Sequence, residues 1–355
     1  MSDVALSHLG VAAVRLALVI ECLLAIWGSL ALSYQLRGAP LKALGLAVWI
    51  AVSVAMLSAL WQGRLAVGTC GFAVVFSGLL LWWRRLRPSN DRLWADEVAK
   101  MTTGSVEGNR VILQNVRNFD WRSNTDYTQR WETRCYDLQR LDSVDMILSY
   151  WSRRAIAHVL ISFGFDDGDH VVFSVEIRRQ KSQAFSEIGG FFKEFEVSVV
   201  AADERDVVRV RTNVRREDDY LYRIRIPIAT MRSLFLAYVD QANTLVRSPR
   251  FYNTLSVNCT TLVYQMMKHI VGFLPLDYRL LLSGYLPEYV YRVGGFDTRY
   301  TLDELRAFGR FTARAQKADL SQNFSADIRA GVPRLASPLL ATDTASGNAS
   351  ASSAQ

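Results

Sequence analysis

The chain of 355 residues has only four cysteines and four histidines, and their placement excludes several chemistries at once. No C-x-x-C occurs and the cysteines form no even, regularly spaced set, so neither a disulfide scaffold nor a zinc site is indicated. G-x-S-x-G, H-E-x-x-H and a glycine-rich phosphate loop are missing, which removes the serine-hydrolase elbow, the zincin helix and a nucleotide P-loop. The run Asp166-Asp167-Gly168-Asp169 lacks the spaced ligands and closing glutamate of an EF-hand and reads as a turn. A net charge of +7 could suit nucleic acid, yet acids and bases interleave, as in Asp203-Glu204-Arg205-Asp206, and no aromatic-basic signature appears. The reading is therefore no metal, no cofactor and no nucleic acid. There is no internal repeat.

Apolar residues, by contrast, make up 50% of the chain and concentrate at its start. Residues 11–33, 43–61 and 65–83 are each close to the ~20 residues needed to cross a bilayer. A cleaved signal peptide would need a basic leader and a small-residue exit, and would not be followed by two more such runs. Inside the first run Arg15 lies near an end and can snorkel, whereas Glu21 is deeper and needs a helical partner or a proton. Arg84, Arg85, Arg87 and Arg92 follow the third run, where lipid headgroups are the nearest anions. Residues 1–84 thus read as a three-span anchor, 85–330 as one α+β domain, and 331–355 as a small, polar, disordered tail. A positive-inside count, with Arg37, Lys42 and the Arg84 to Arg92 cluster on the domain's side, taken alone places that domain in the cytoplasm.

The clearest local structure is Ile156 to Arg178. Ala157, Val159, Ile161, Phe163 and Phe165 share one face, and Val171, Phe173, Val175 and Ile177 share another, flanking Asp166-Asp167-Gly168. With Gly168 left-handed in a three-residue loop, Phe163 pairs with Val171 and Ile161 with Phe173, which sets His158 opposite Glu176. Opposed residues have Cβ atoms about 4.5 to 5.5 Å apart, within reach of an imidazole–carboxylate hydrogen bond. Farther on, FFKEFEVSVVAADERDVVRVRT reads as two strands around a charged turn and LYRIRIP as another. MRSLFLAYVDQANTLVR reads as a helix stopped by Pro249.

The next helix opens with Ser256-Val257-Asn258-Cys259-Thr260-Thr261 and ends at Gly272 and Pro275. A cysteine is a nucleophile only as thiolate, which the positive end of a helix favours. An imidazole would complete its activation, and a carboxylate behind the imidazole would fix its tautomer. Cys259, His158 and Glu176 form such a set, with the Cys259 amide N–H as first oxyanion donor. His269 is ten residues along the same helix, about 15 Å away, and is excluded; His170 stays as an alternative base. Singly, each of the three has a structural reading: packing for Cys259, a satisfied strand histidine for His158, an arginine partner for Glu176. Cys22 and Cys70 lie in the apolar runs, and Cys135 has no assigned role.

The runs RPSNDRLW, VILQNVRNFDWRS, RWETRCYDL, AHVLISFGFDDG, FSVEIRR, AADERDVVRVRTN, SPRFYNTLSVNCTT and LLLSGYLPEYVY, between about residues 82 and 310, resemble the Lnb-type lipoprotein N-acylation family. That resemblance implies a permuted papain-like (NlpC-like) domain, with an antiparallel sheet and a cysteine-bearing helix, on the periplasmic side of a bacterial inner membrane. It implies Cys259 as nucleophile and His158 as general base; Glu176 as orienting acid rests on the register argument. The activity implied is transfer of a fatty acyl chain from a phospholipid donor to the N-terminal amine of a lipid-modified lipoprotein. A cell-envelope cysteine hydrolase of the same fold, or a non-catalytic membrane-anchored binding module, are the competing readings.

Overall fold

Three helices open the chain: α1 (Ser2–Gln35), α2 (Ala39–Trp61) and α3 (Leu65–Arg85). In this computed structural model, which describes residues 2–335, stretches of all three are long and apolar enough to cross a membrane: Val11–Gln35, Ala39–Trp61 and Leu65–Arg85. They pack through small residues, as helices do where water cannot drive association. A Cβ at Gly28 would fall 2.4 Å from the Trp49 ring, and one at Gly68 would fall 2.9 Å from the Leu60 backbone. The Trp49 indole N–H donates to the Ala25 carbonyl at 2.9 Å. Leu16, Val19, Val54 and Val74 point outward and are exposed, as lipid-facing positions are. Glu21 is buried inside this bundle.

The contacts divide the chain into two units: residues 1–89 with 185–195, and the remainder. The stretch 336–355, expected to be disordered, lies outside the described residues.

The second unit is built on an eight-stranded sheet. In chain order its strands are β1 (Thr103–Glu107), β2 (Arg110–Arg117), β5 (Trp131–Asp137), β6 (Leu141–Tyr150), β7 (His158–Phe165), β8 (His170–Arg178), β9 (Glu196–Ala202) and β10 (Asp218–Arg223); a small separate pair, β3 (Asp120–Trp121) and β4 (Tyr127–Thr128), precedes β5. The order across the sheet is β1-β2-β9-β8-β7-β6-β10, with β5 also on β2. All pairings are antiparallel except the single β2–β9 contact. With the helices below, this is the α+β architecture expected.

The β7–β8 register is the one the alternation predicts. Ile161 opposes Phe173, Phe163 opposes Val171, and Gly168 turns the loop with φ 91°. One face of the sheet carries α5 (Ile228–Arg247), whose Phe235 meets Phe163 edge-on at 5.1 Å while Tyr238 stacks on Phe173 at 4.9 Å. These aromatics form the larger core.

The opposite face is covered by α4 (Glu204–Arg209), a π-helical turn (Val210–Arg215) and helices near the C-terminus, through Val207, Val208, Phe311, Phe324 and Ile328. The sequence reading of DVVRVRT as a strand is thereby corrected. Asp203 caps α4, its carboxylate accepting from the Arg205 amide, and acids in the first turn suit the helix dipole. Three buried ion pairs, centred on Arg117 and Arg329, fasten this layer. The Asp206 carboxylate accepts from Arg117 at 2.7 and 3.0 Å, from the Phe119 amide at 2.9 Å and from the Trp121 indole at 2.7 Å. That network gives the VRNFDWRS segment its structural role. Arg329 joins Asp145 at 2.9 Å and Glu204 at 2.6 Å.

Candidate active site

Cys259 lies just ahead of α6 (Thr261–Val271), whose start is fixed by the two residue types that flank the cysteine. The Asn258 side-chain oxygen accepts from the amides of Thr260 at 2.9 Å and Thr261 at 2.8 Å, the work of a helix cap. Reciprocally, the Asn258 amide donates to the Thr261 hydroxyl at 3.0 Å. The Asn258 NH2 group ties back to the Thr254 carbonyl at 2.7 Å, and Asn253 closes the preceding turn by accepting from the amides of Leu255 and Ser256. Asparagine and threonine thus hold the chain around a cysteine that is only 9% exposed. Asn258 takes up the amides of Thr260 and Thr261 but not that of Cys259.

His158 begins β7. Its Nε2 lies 2.7 Å from the Ser174 hydroxyl and 3.2 Å from Glu176 Oε1. Ser174 donates to the same Glu176 oxygen at 2.7 Å, so Nε2–H donates to Ser174 and the proton path runs imidazole, hydroxyl, carboxylate. The His158 ring and the Val159 amide both favour the thiolate form of Cys259, and the Thr260 hydroxyl lies 3.9 Å from the sulfur. Behind Glu176 stands Arg211, donating to Oε1 at 3.2 Å and to the Val207 carbonyl at 2.9 Å.

The electrostatics follow from this packing. Burial disfavours the His158 imidazolium and Arg211 opposes it too, but the Glu176 charge and the bond to Cys259 prevail, pushing the pKa up to about 9. Burial works against the Glu176 carboxylate as well, yet His158, Arg211 and Ser174 hold it well below the usual range. For Cys259 burial raises the pKa, while His158, the Val159 amide and Thr260 pull it below the ordinary thiol value. The arrangement can therefore hold a thiolate–imidazolium pair between the lowered thiol pKa and about pH 9.

Three residues of this cluster escaped the sequence reading. Ser174 shares the Glu176 face two residues away, a spacing that could have disclosed it. Arg211 lay hidden in the segment misread as a strand. Tyr252, seven residues ahead of Cys259, has its phenol held protonated by burial and by the charges of Cys259 and Glu176; nothing in the sequence marked it. Ser174→Ala is expected to lower turnover roughly tenfold, as loss of an outer partner does, while leaving Cys259 open to alkylation.

The remaining candidates lie elsewhere. His170 binds the Gly168 carbonyl at 2.8 Å in the hairpin turn, and His269 sits in the last turn of α6. Cys135 accepts from the Arg110 guanidinium at 2.8 Å beside a cavity of about 420 Å³ that also contacts Arg140, Phe165 and Asp167, at the far end of the hairpin from His158. Among the described residues no group of three or more histidine, cysteine, aspartate or glutamate side chains is arranged to hold a metal ion.

Residues 127–284, which contain His158, Ser174, Glu176, Arg211, Tyr252 and Cys259, match the family model of the Lnb N-terminal periplasmic domain. No curated protein and no solved structure matches the chain. The chain thus joins three membrane-capable helices to a region that is similar to the Lnb N-terminal periplasmic domain.

Proposed function

We propose that this chain is a thiol acyltransferase, anchored in the bacterial inner membrane by three spans, that moves a fatty acyl chain onto the N-terminal amine of a lipid-modified lipoprotein. What supports the reading is one juxtaposition: a buried cysteine at the mouth of α6, its thiol acidified by a histidine that a carboxylate 3.2 Å away holds charged. The Cys259 thiolate attacks the ester carbonyl of a phospholipid, and the Cys259 amide N–H stabilises the oxyanion. Collapse expels the lysophospholipid alkoxide, which takes a proton from the His158 imidazolium and leaves a thioester on Cys259. The α-amine of the lipoprotein's lipidated cysteine then attacks the thioester. His158, now neutral, takes the amine proton, and the thiolate leaves as the amide forms. Glu176 stabilises the imidazolium in both halves, through Ser174 and directly. On this reading the domain is a permuted papain-like fold, in which the histidine strand precedes the cysteine helix.

The reaction is tested with the purified full-length protein in phospholipid vesicles, given a peptide whose N-terminal cysteine carries a diacylglyceryl group. The expected product is peptide heavier by one acyl chain on its α-amine, with one lysophospholipid released per transfer. Release of free fatty acid with unmodified peptide would make the protein a hydrolase. Binding of either lipid without turnover would make it a binding module.

A further inference from the structure

Between β8 and β9 the chain leaves the sheet, and Phe185–Phe195 clusters with the three apolar helices. This segment, FSEIGGFFKEF, is fastened to the C-terminal ends of α1 and α3, which lie on one side because successive helices alternate in direction. Phe192 is buried, stacked on Tyr34 at 5.5 Å and set edge-on to Trp83 at 6.4 Å. Its carbonyl accepts from the Gln35 side chain at 2.6 Å, and the Lys193 ammonium donates to the Trp83 carbonyl at 2.8 Å. Tyrosine and tryptophan at the ends of membrane-spanning helices sit at the headgroup level. The segment therefore lies at that depth.

Phe195 is buried as well, but Phe185, Ile188 and Phe191 are 57%, 52% and 41% exposed. Such a cluster is unfavourable in water and marks a surface meant to be covered. The backbone is also prepared for a dry environment, where an unpaired amide is costly. Within the segment the amides of Phe191, Phe192 and Glu194 donate to the carbonyls of Ile188 and Gly189, and the Gly189 amide to the Ser186 hydroxyl. Arg84 and Arg85, in the last turn of α3, complement anionic headgroups at the same end. Lipid is the covering these features share, because the segment clusters with helices whose own outward side chains are apolar and exposed.

We propose that Phe185, Ile188 and Phe191 insert into the headgroup–acyl boundary of the bilayer, as a second membrane contact formed by the connection that follows β8. The test uses full-length protein with its native cysteines replaced by serine, reconstituted in phosphatidylethanolamine–phosphatidylglycerol vesicles. A nitroxide is placed in turn at Ile188→Cys and Phe191→Cys, with Val74→Cys as lipid reference and Asp303→Cys as aqueous reference. Both loop labels are expected to collide more with oxygen than with a water-soluble nickel chelate, shifting toward the Val74 label. Collision ratios equal to those of the Asp303 label would overturn the proposal. So would protection from both reagents, since that reports a protein contact. The readout involves no acyl chemistry, so it stands or falls apart from the proposed reaction.

Discussion

Cys259→Ala is expected to abolish acyl transfer while leaving the fold intact. Loss of a nucleophile from a coupled catalytic group costs on the order of 10⁴-fold or more in turnover. The side chain is small and the helix start is held by Asn258 and Thr261 rather than by the sulfur, so little structure is lost. The assay is lysophospholipid release and peptide acylation by the vesicle-reconstituted variant, with thermal unfolding followed in parallel. Normal acylation by a well-folded variant would remove Cys259 from the chemistry. A further separation comes from His158→Ala, which should retain the thiol but slow both acylation and alkylation at neutral pH.

The second large effect is expected for Glu176→Gln. In the wild type His158 is held charged to about pH 9 and Cys259 ionises below the ordinary thiol value, so between these limits the pair exists as thiolate and imidazolium. Alkylation by iodoacetamide should therefore be fast already below the pH at which an ordinary thiol ionises, and fall as acid protonates the thiolate. Acyl transfer should fall again as pH rises through about 9, where the imidazolium that protonates the leaving alkoxide is lost. Without the Glu176 charge, burial and Arg211 both act to lower the His158 pKa, and the thiolate loses its cationic partner. The alkaline limit then moves to lower pH and the thiol inflection to higher pH, closing the window from both sides. Turnover at neutral pH should drop roughly 10²-fold, the size of a general acid–base contribution. An unchanged pH profile in the variant would show that Glu176 does not govern this pair.

The sequence disclosed this site where a simple period or a strong turn signal applied. Alternation in Val159 to Phe165 and Val171 to Ile177, with a glycine able to take φ 91°, fixed the register that brings His158 to Glu176. Gly272 ended the cysteine helix, with φ 82°, and the three apolar runs located the membrane helices. Alternation misled where polar residues are buried. In Asp206 to Thr212 the arginines imitated the wet face of a strand, but Arg209 and Arg211 are buried and paired, Arg209 with the Trp121 carbonyl and Arg211 with Glu176. Charged groups inside a protein require partners from distant parts of the chain, and those partners have no local signature. For the same reason Tyr252 and the attachment of Phe185–Phe195 to the helices were not legible: both depend on contacts that only the folded chain creates.

The proposed reaction passes through an acyl-enzyme on Cys259. It is tested by peptide mass spectrometry of the purified full-length protein incubated with phospholipid, before and after neutral hydroxylamine and beside Cys259→Ala. The expected result is a fatty acyl mass on the Cys259 peptide that hydroxylamine removes and that the alanine variant lacks. A free Cys259 thiol, unreactive toward alkylating probes and never acylated, would contradict it.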